Sequence, residues 1–234
     1  MASPAPAPAA ARTLTIRRLG RVPYAFGLDL QARLVADRQA GHIGDTLVLL
    51  QHDPVFTLGR NARQVNLLLP EAELRARGFE VFETGRGGDV TYHGPGQIVG
   101  YPILDLSPDR RDVHRYVRGL EEVMIGTCAD YGIAAGRIAG LTGAWVGDAK
   151  IGAIGVRIAR WVTSHGFAFN VSTDLAPFGL IVPCGIRGRG VTSLERLLGR
   201  SVALDAVLSR LVARFARVFG ATPVDEAVPS TTSP

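Results

Sequence analysis

Strand-like and helix-like stretches follow one another in this chain without the regular strand–helix–strand alternation that a wholly parallel sheet requires. "RTLTIRRLG" (12–20) alternates as a strand does, and "DTLVLLQH" (45–52), "PVFTLGR" (54–60), "FEVFETG" (79–85) and "IVGYPILDL" (98–106) are short strand-like runs bounded by turn residues. Between them lie only two helical patterns. One covers 22–41 and stops at Gly41; the other is the brief 70–78, with Pro70 first and Gly78 past its end. "TGAWV" (142–146) and "AKIGAIGVRI" (149–158) are joined by Gly147-Asp148, a two-residue hairpin signal, and another strand covers 161–172. This order predicts an α/β chain of the α+β kind, with a mixed β-sheet flanked by helices.

Two long amphipathic helices complete it. Residues 107–132 carry Ser107 as the N-cap, Pro108 as the first helical residue and Gly132 past the end. Their apolar stripe runs through Val113, Tyr116, Val117, Leu120, Val123, Met124 and Cys128. Residues 203–220 place Leu204, Val207, Leu208, Leu211, Val212 and Phe215 on one face. The 234 residues suit one domain, expected over 12–222, between a Pro/Ala-rich disordered tail (1–11) and a flexible tail (223–234). The start has neither a basic n-region nor an apolar h-region, and no apolar run approaches about 18 residues, so neither a signal peptide nor a membrane helix is expected. Two cysteines give no disulfide framework, and a reduced cytoplasmic setting is the expectation. The net charge of +5 comes from scattered basic residues without aromatic interleaving, which argues against nucleic acid and suits an acidic partner. No His, Cys, Asp or Glu cluster has metal-ligand spacing.

Lys150 is the only lysine in the chain; the other 25 of its 26 Lys and Arg residues are arginine. A base-composition bias that replaces lysine wherever arginine serves explains the ratio, and chance survival is the plain explanation of the exception. The chemical explanation is that Lys150 sits on a strand face with Gly152, Ile154, Val156 and Ile158, where desolvation favours a neutral amine. Arginine cannot supply one, because its guanidinium stays protonated. Cys128, on a helix stripe, reads as an inert core thiol. Cys184 lies between Pro183 and Gly185, ahead of Arg187 and Arg189, whose charges favour thiolate; a cysteine packed at a turn fits the same residues. Together Cys184 and Lys150 have the makings of a nucleophile and its base.

The stretch "RGGDVTYHGPGQ" (86–97) is glycine-rich but is no phosphate loop, having neither GxxxxGK[ST] nor a helix-opening GxGxxG. Gly87, Gly88, Gly94 and Gly96 allow a ligand to approach the backbone closely. His93 either hydrogen-bonds a reacting group or holds the turn, and Arg86 either binds an anion or braces the loop against Asp89. His165 either lines the same cleft or ends its strand. His42, His52 and His114 read as surface or structural.

With these residues in hand, the chain resembles the lipoyl(octanoyl) transferases. The resemblance is carried, in family order, by "DPVFTLGR", "RGGDVTYHGPGQIVGYPILDL", "GDAKIGAIGVR", "HGFAFNVSTDLAPFGLIVPCGI" and "GVTSLE", roughly residues 45–196. It implies the fold of the biotin and lipoate protein ligases, around a tunnel for an acyl chain. It implies transfer of an octanoyl group from acyl carrier protein to a lysine of a lipoyl domain, through a thioester on Cys184, with Lys150 moving the protons. It assigns substrate contacts to Arg86, Gly87, Gly88, Asp89, Val90, Thr91, Tyr92 and His93. It adds Ala153, Ile154 and Gly155 on one strand and Gly166, Phe167 and Ala168 on another. Asp89 departs from the residues common at that place. The implied partners are acyl carrier protein and the lipoyl domains of 2-oxoacid dehydrogenase complexes and of glycine cleavage H protein, with the enzyme a monomer. No cofactor is implied beyond the phosphopantetheine of the donor. The alternative on this fold is an ATP-dependent lipoate- or biotin-protein ligase, which has no need of Cys184.

Overall fold

The computed structural model describes residues 12–107, 110–182 and 189–226. Both expected tails lie largely outside them, as do Pro108 and the segment 183–188 with Cys184.

The chain opens with β1 (Arg12–Val22), α1 (Tyr24–Ala40) and β2 (Asp45–His52). A small excursion follows: β3 (Val55–Leu58), α2 (Glu71–Ala76), β4 (Glu80–Glu83) and β5 (Val90–His93). β6 (Gln97–Ile103) returns to the main sheet and leads to α3 (Val113–Ala129). Then come β7 (Gly136–Ile138), β8 (Leu141–Val146), β9 (Ala149–Ala159) and β10 (Val162–Asn170). β11 (Gly190–Val191), α4 (Leu194–Leu198), α5 (Leu204–Phe219) and β12 (Ala221–Asp225) close the fold.

Among the described residues the main sheet has nine strands, in the order β12-β1-β2-β6-β10-β9-β8-β7, with β11 paired to β9. β1 is parallel to both β12 and β2, whereas β2–β6, β6–β10 and β10–β9 are antiparallel. This is the mixed, helix-flanked sheet that the order of elements predicts. A second sheet, β4-β3-β5, stands beside it.

Helix α3 begins later than its polar start suggests. Asp112, not Ser107, is the N-cap, its carboxylate accepting from the Arg115 amide at 2.9 Å. The chain ahead of Asp112 turns instead, with the Arg110 amide on the Leu106 carbonyl at 2.9 Å, and Val113 is left exposed. The stripe then behaves as its spacing demands: Tyr116, Leu120, Val123, Met124 and Cys128 are buried and pack with Val207, Leu211 and Phe215 of α5 against one face of the main sheet. Each such side chain contributes about 1.5–3 kcal/mol by leaving water. α1 covers the opposite face through Leu34, against Val48, Val99 and Tyr101. The small sheet has its own core of Phe56, Leu74, Val90, Tyr92 and Phe178. β12 takes in residues 223–225 of the segment expected to be a tail, pairing Leu14 with Pro223 and Ile16 with Asp225. Pro223 is tolerated because β12 is an edge strand.

Candidate active site

The site forms where the loop between β4 and β5 leans on β9. The Gly87 amide donates to the Val156 carbonyl at 2.9 Å, while the Arg60 and Asn61 amides donate to the Arg86 and Gly88 carbonyls at 2.9 and 3.1 Å. This approach needs glycine on the strand: a Cβ on Gly155 would sit 2.9 Å from Arg86 Cδ and 3.0 Å from the Gly87 carbonyl. Arg86 is buried and turns its guanidinium on the protein itself. Nη2 donates to the Thr57 carbonyl (2.6 Å), Thr57 Oγ1 (2.9 Å) and the Asp89 carbonyl (2.7 Å), and Nη1 donates to the Gly87 carbonyl (3.0 Å). The Asp89 carboxylate accepts from Asn66 Nδ2 at 2.5 Å and from the Arg63 and Val90 amides, so it ties the loop to the turn at 63–66.

Behind the loop a narrow, mainly apolar slot runs between β5, β6, β9 and β10. Eleven of the residues named by resemblance line it: Arg86, Gly88, Asp89, Thr91, His93, Ala153, Ile154, Gly155, Gly166, Phe167 and Ala168, joined by His165. Gly87 faces instead the open cleft that contains Lys150. Val90 and Tyr92 point the other way, into the core of the small sheet. The reason is that 90–93 is a strand, whose alternation sends Thr91 and His93 to the slot and their neighbours to the opposite face. Tyr24, Val99 and Tyr101 also line the slot, and no sequence pattern singles them out.

One part of the slot wall is polar and carries little charge. His52 Nε2 and the Tyr101 hydroxyl share a 2.6 Å hydrogen bond, Tyr24 stacks on His93 at 6.1 Å, and Tyr101 meets His165 edge-on at 6.4 Å. Burial, reinforced by His52, Arg86 and His165 and opposed by the hydrogen bond to Gln97, pushes the His93 imidazole down to about 3. Burial lowers His52 to about 4; burial together with Arg86 and Arg157 does the same to His165. Burial raises the Tyr24 hydroxyl to about 12 and that of Tyr101 well above its usual value. At neutral pH all five are uncharged.

His93 also belongs to a chain of hydrogen bonds that runs in one direction. Gln97 directs its amide hydrogens to the Tyr92 carbonyl (3.2 Å) and Asn170 Oδ1 (2.9 Å), so its Oε1 accepts from His93 Nδ1–H at 2.7 Å. His93 Nε2 is then the acceptor facing the Thr57 hydroxyl at 3.4 Å, and that hydroxyl in turn accepts from Arg86. At the other end Asn170 Nδ2 donates to the Thr192 carbonyl (3.0 Å), and the Thr192 amide donates to the Lys150 carbonyl (3.0 Å). A buried polar thread thus ties the loop at Arg86 to the backbone of Lys150.

Lys150 is buried, 8% exposed, and its Nζ lies 4.7 Å from the centre of the Trp145 ring. It faces both the open cleft, with Asn61, Arg63 and Ile154, and a small inner cavity bounded by Thr91, Ala153 and Ala168 of the slot. Lys150 therefore stands where the cleft meets the slot. Cys184 lies outside the described residues, but the chain on either side of 183–188 is fixed here. Before it, the Val182 amide donates to the Asn66 carbonyl at 2.8 Å. After it, Gly190 and Val191 pair in parallel with Ala149 and Lys150, and Arg189 forms an ion pair with Asp148. Cys128 stands apart from this chemistry: it is fully buried in the main core, and burial pushes its thiol up to about 12.

This geometry, an apolar slot with a buried amine at its mouth, is that of an acyl-handling domain, and comparison with known proteins agrees. The chain belongs to the lipoyl protein ligase A/B catalytic domain family, whose description matches residues 23–216. It is 55% identical over 208 residues to the octanoyltransferase of Solibacter usitatus, covering 89% of this chain and 94% of that protein. It is 53% identical over 220 residues to the octanoyltransferase of Chloroflexus aurantiacus (strain J-10-fl), covering 93% and 99%. Among solved structures, a bi-partite lipoate protein ligase from Thermoplasma acidophilum superposes with a TM-score of 0.66 at 16% identity, covering 94% of this chain and 88% of that one. Lipoate-protein ligase A bound with ATP gives 0.67 at 17%, covering 94% and 90%. At such identities the two structures speak for the fold.

Proposed function

We propose that this chain transfers an octanoyl group from the phosphopantetheine thioester of an acyl carrier protein to a lysine amine of a lipoyl domain. The chain is an enzyme of the acyl-transfer class. In the first half-reaction the Cys184 sulfur attacks the donor carbonyl, the C–S bond to the carrier breaks, and the carrier thiol departs with a proton. In the second, the acceptor amine attacks the acyl-Cys184 carbonyl, an amide forms, and Cys184 is released while the amine's proton leaves. Lys150 is the group that takes and returns these protons. Neither step calls for a bound nucleotide, metal or other cofactor. Candidate acceptors are the lipoyl domains of 2-oxoacid dehydrogenase complexes and glycine cleavage H protein.

The observation that carries this reading is the position of Lys150, a buried amine between an open cleft and an apolar slot. The cleft admits a protein-borne donor or acceptor, and the slot takes the alkyl chain. Burying methylenes there stabilises binding by about 0.8 kcal/mol each. The test is mass spectrometry of the protein incubated with octanoyl-carrier protein in the absence of ATP. A single octanoyl adduct on Cys184 is expected. An adduct on Cys128, or a requirement for ATP, overturns the reading.

A further inference from the structure

The apolar stripe of α3 contains one carboxylate. Glu121 is fully buried. Its Oε2 accepts from Arg118 Nη1 at 2.7 Å and Arg137 Nε at 2.9 Å, two arginines whose side chains reach the surface. Among the described residues its Oε1 accepts from a single group, the Gly143 amide on β8, at 3.0 Å.

Gly143 lies just ahead of an irregularity in the sheet. The register between β8 and β9 shifts between Ala144 and Trp145, so that Ala144 stands opposite Gly152 and Trp145 opposite Lys150. A backbone irregularity of this kind re-aims the side chains that follow it. Gly143 has φ 127°, a conformation that other residues rarely adopt, and a Cβ there would sit 2.5 Å from the Gly152 carbonyl and 3.4 Å from Lys150 Cε. Its amide is therefore served by α3, across the packing interface. The re-aimed Trp145 presents its ring to Lys150 Nζ at 4.7 Å, with the Arg189 guanidinium 5.8 Å from the same ring.

We propose that Glu121 is a positioning residue for Lys150, acting through the Gly143 amide and the Trp145 ring. The inference rests on the assignment of Lys150 as the proton carrier. The two carboxylate oxygens have different roles. Oε2 is charge-compensated by arginine, which lets Oε1 stay buried and serve one backbone N–H. A carboxylate held only for ion pairing would need no strand amide.

The sequence supplies its own probe. Because Lys150 is the only lysine in the chain, [13Cε]lysine labelling yields one Cε resonance, displaced by the ring current of Trp145. Three variants divide the question. Glu121→Met removes both oxygens at similar length, Glu121→Gln keeps an Oε1 acceptor without the charge, and Arg137→Met takes one of the two arginines from Oε2, along with its bonds to Glu122 and the Arg118 carbonyl. The expected result is that Glu121→Met moves the Lys150 resonance towards that of free lysine and lowers kcat about 100-fold, the scale of a 1 Å misplacement, with KM for the carrier unchanged. Glu121→Gln and Arg137→Met keep the resonance in place and retain kcat to within about threefold, although all three lower Tm. A resonance that stays put in Glu121→Met, or moves equally in all three, overturns the proposal. Should Glu121→Met not fold, Trp145→Leu carries the test, an unchanged kcat being the refuting outcome. Lys150→Met is run alongside. If it transfers at the wild-type rate, the role of Lys150 as base has failed, while the resonance still reports on positioning.

Discussion

Acid should unfold this protein through the slot wall before its carboxylates respond. His52 and His165 are held at about 4 and His93 at about 3, against an ordinary value of 6.5. The native pKa values lie below the unfolded ones, so between these limits the unfolded chain binds more protons than the native one. The stabilisation from keeping the imidazoles neutral is fully present above 6.5 and is lost as pH falls towards 4 and then 3. Each group then costs about 1.4 kcal/mol per pH unit, so three independent groups cost about 4 kcal/mol per unit. From pH 6.5 to 5, where the native imidazoles still resist protonation, the loss is about 5 kcal/mol. That is comparable to the whole stability of an ordinary domain.

His52 and His93 lie 6.1 Å apart and His165 acts on His93 through its charge, so protons arrive as a coupled set and the slope belongs to the cluster. The assay is the urea midpoint followed by circular dichroism at half-unit steps from pH 7.5 to 5. The comparison is His93→Asn, whose amide nitrogen takes the place of Nδ1 and keeps the donor to Gln97. Wild type should lose stability steeply below pH 6.5, and the variant should show a slope shallower by about 1.4 kcal/mol per unit. A wild-type stability flat from pH 7 to 5, or a variant with an unchanged slope, refutes the claim that these imidazoles are buried neutral.

Two further outcomes test the site. Gly155→Ala places a methyl against Arg86 Cδ and the Gly87 carbonyl; it should cost about 1–3 kcal/mol by overpacking and raise KM for the octanoyl donor, both measured against wild type. Lys150→Arg should fold with a near-native thermal midpoint yet lose transfer by about 100-fold or more, because its charge becomes permanent; a fully active variant would remove Lys150 from acid–base chemistry.

What the sequence made legible follows from the range of the interactions involved. The stripe of α3 and the strand face of Lys150 depend on period alone. Gly152 meets Met124 of α3, and Ile154, Val156 and Ile158 pack against the same core, but so does Ile151, because the irregularity opposite Ala144 and Trp145 breaks the alternation between Lys150 and Gly152. β7, β11 and β12 escaped notice because runs of two to five residues carry no usable period. Two polar residues, Ser107 and Asp112, competed for the cap of α3, and only the turn made by Arg110 decides between them. The glycines around 86–97 masked a strand, and with it the alternation that turns Val90 and Tyr92 away from the slot. The thread through Gln97 and Asn170 was beyond reach, since those side chains meet only when β6 and β10 pair with Asn170 opposite Gln97.

The described site also narrows who can move a proton near neutral pH. His52, His93 and His165 hold their neutral forms down to about 4 or below, and the Tyr24 and Tyr101 hydroxyls hold their protons far above 7. Arg86 is permanently charged. The Asp89 carboxylate is engaged by Asn66, Arg63 and Val90. Gln97 fixes His93 Nδ1–H as a donor, and burial holds Nε2, which faces the Thr57 hydroxyl, unprotonated down to about 3. The three imidazoles, the two hydroxyls and Arg86 are thus each held in one state of ionisation near neutral pH. The mouth differs: there the chain places its one amine, over an indole ring and beside the strand that follows Cys184 in sequence. An arginine would fill that place with one more fixed charge. In the proposed transfer, the single lysine in a chain of 25 arginines is the proton carrier at that mouth.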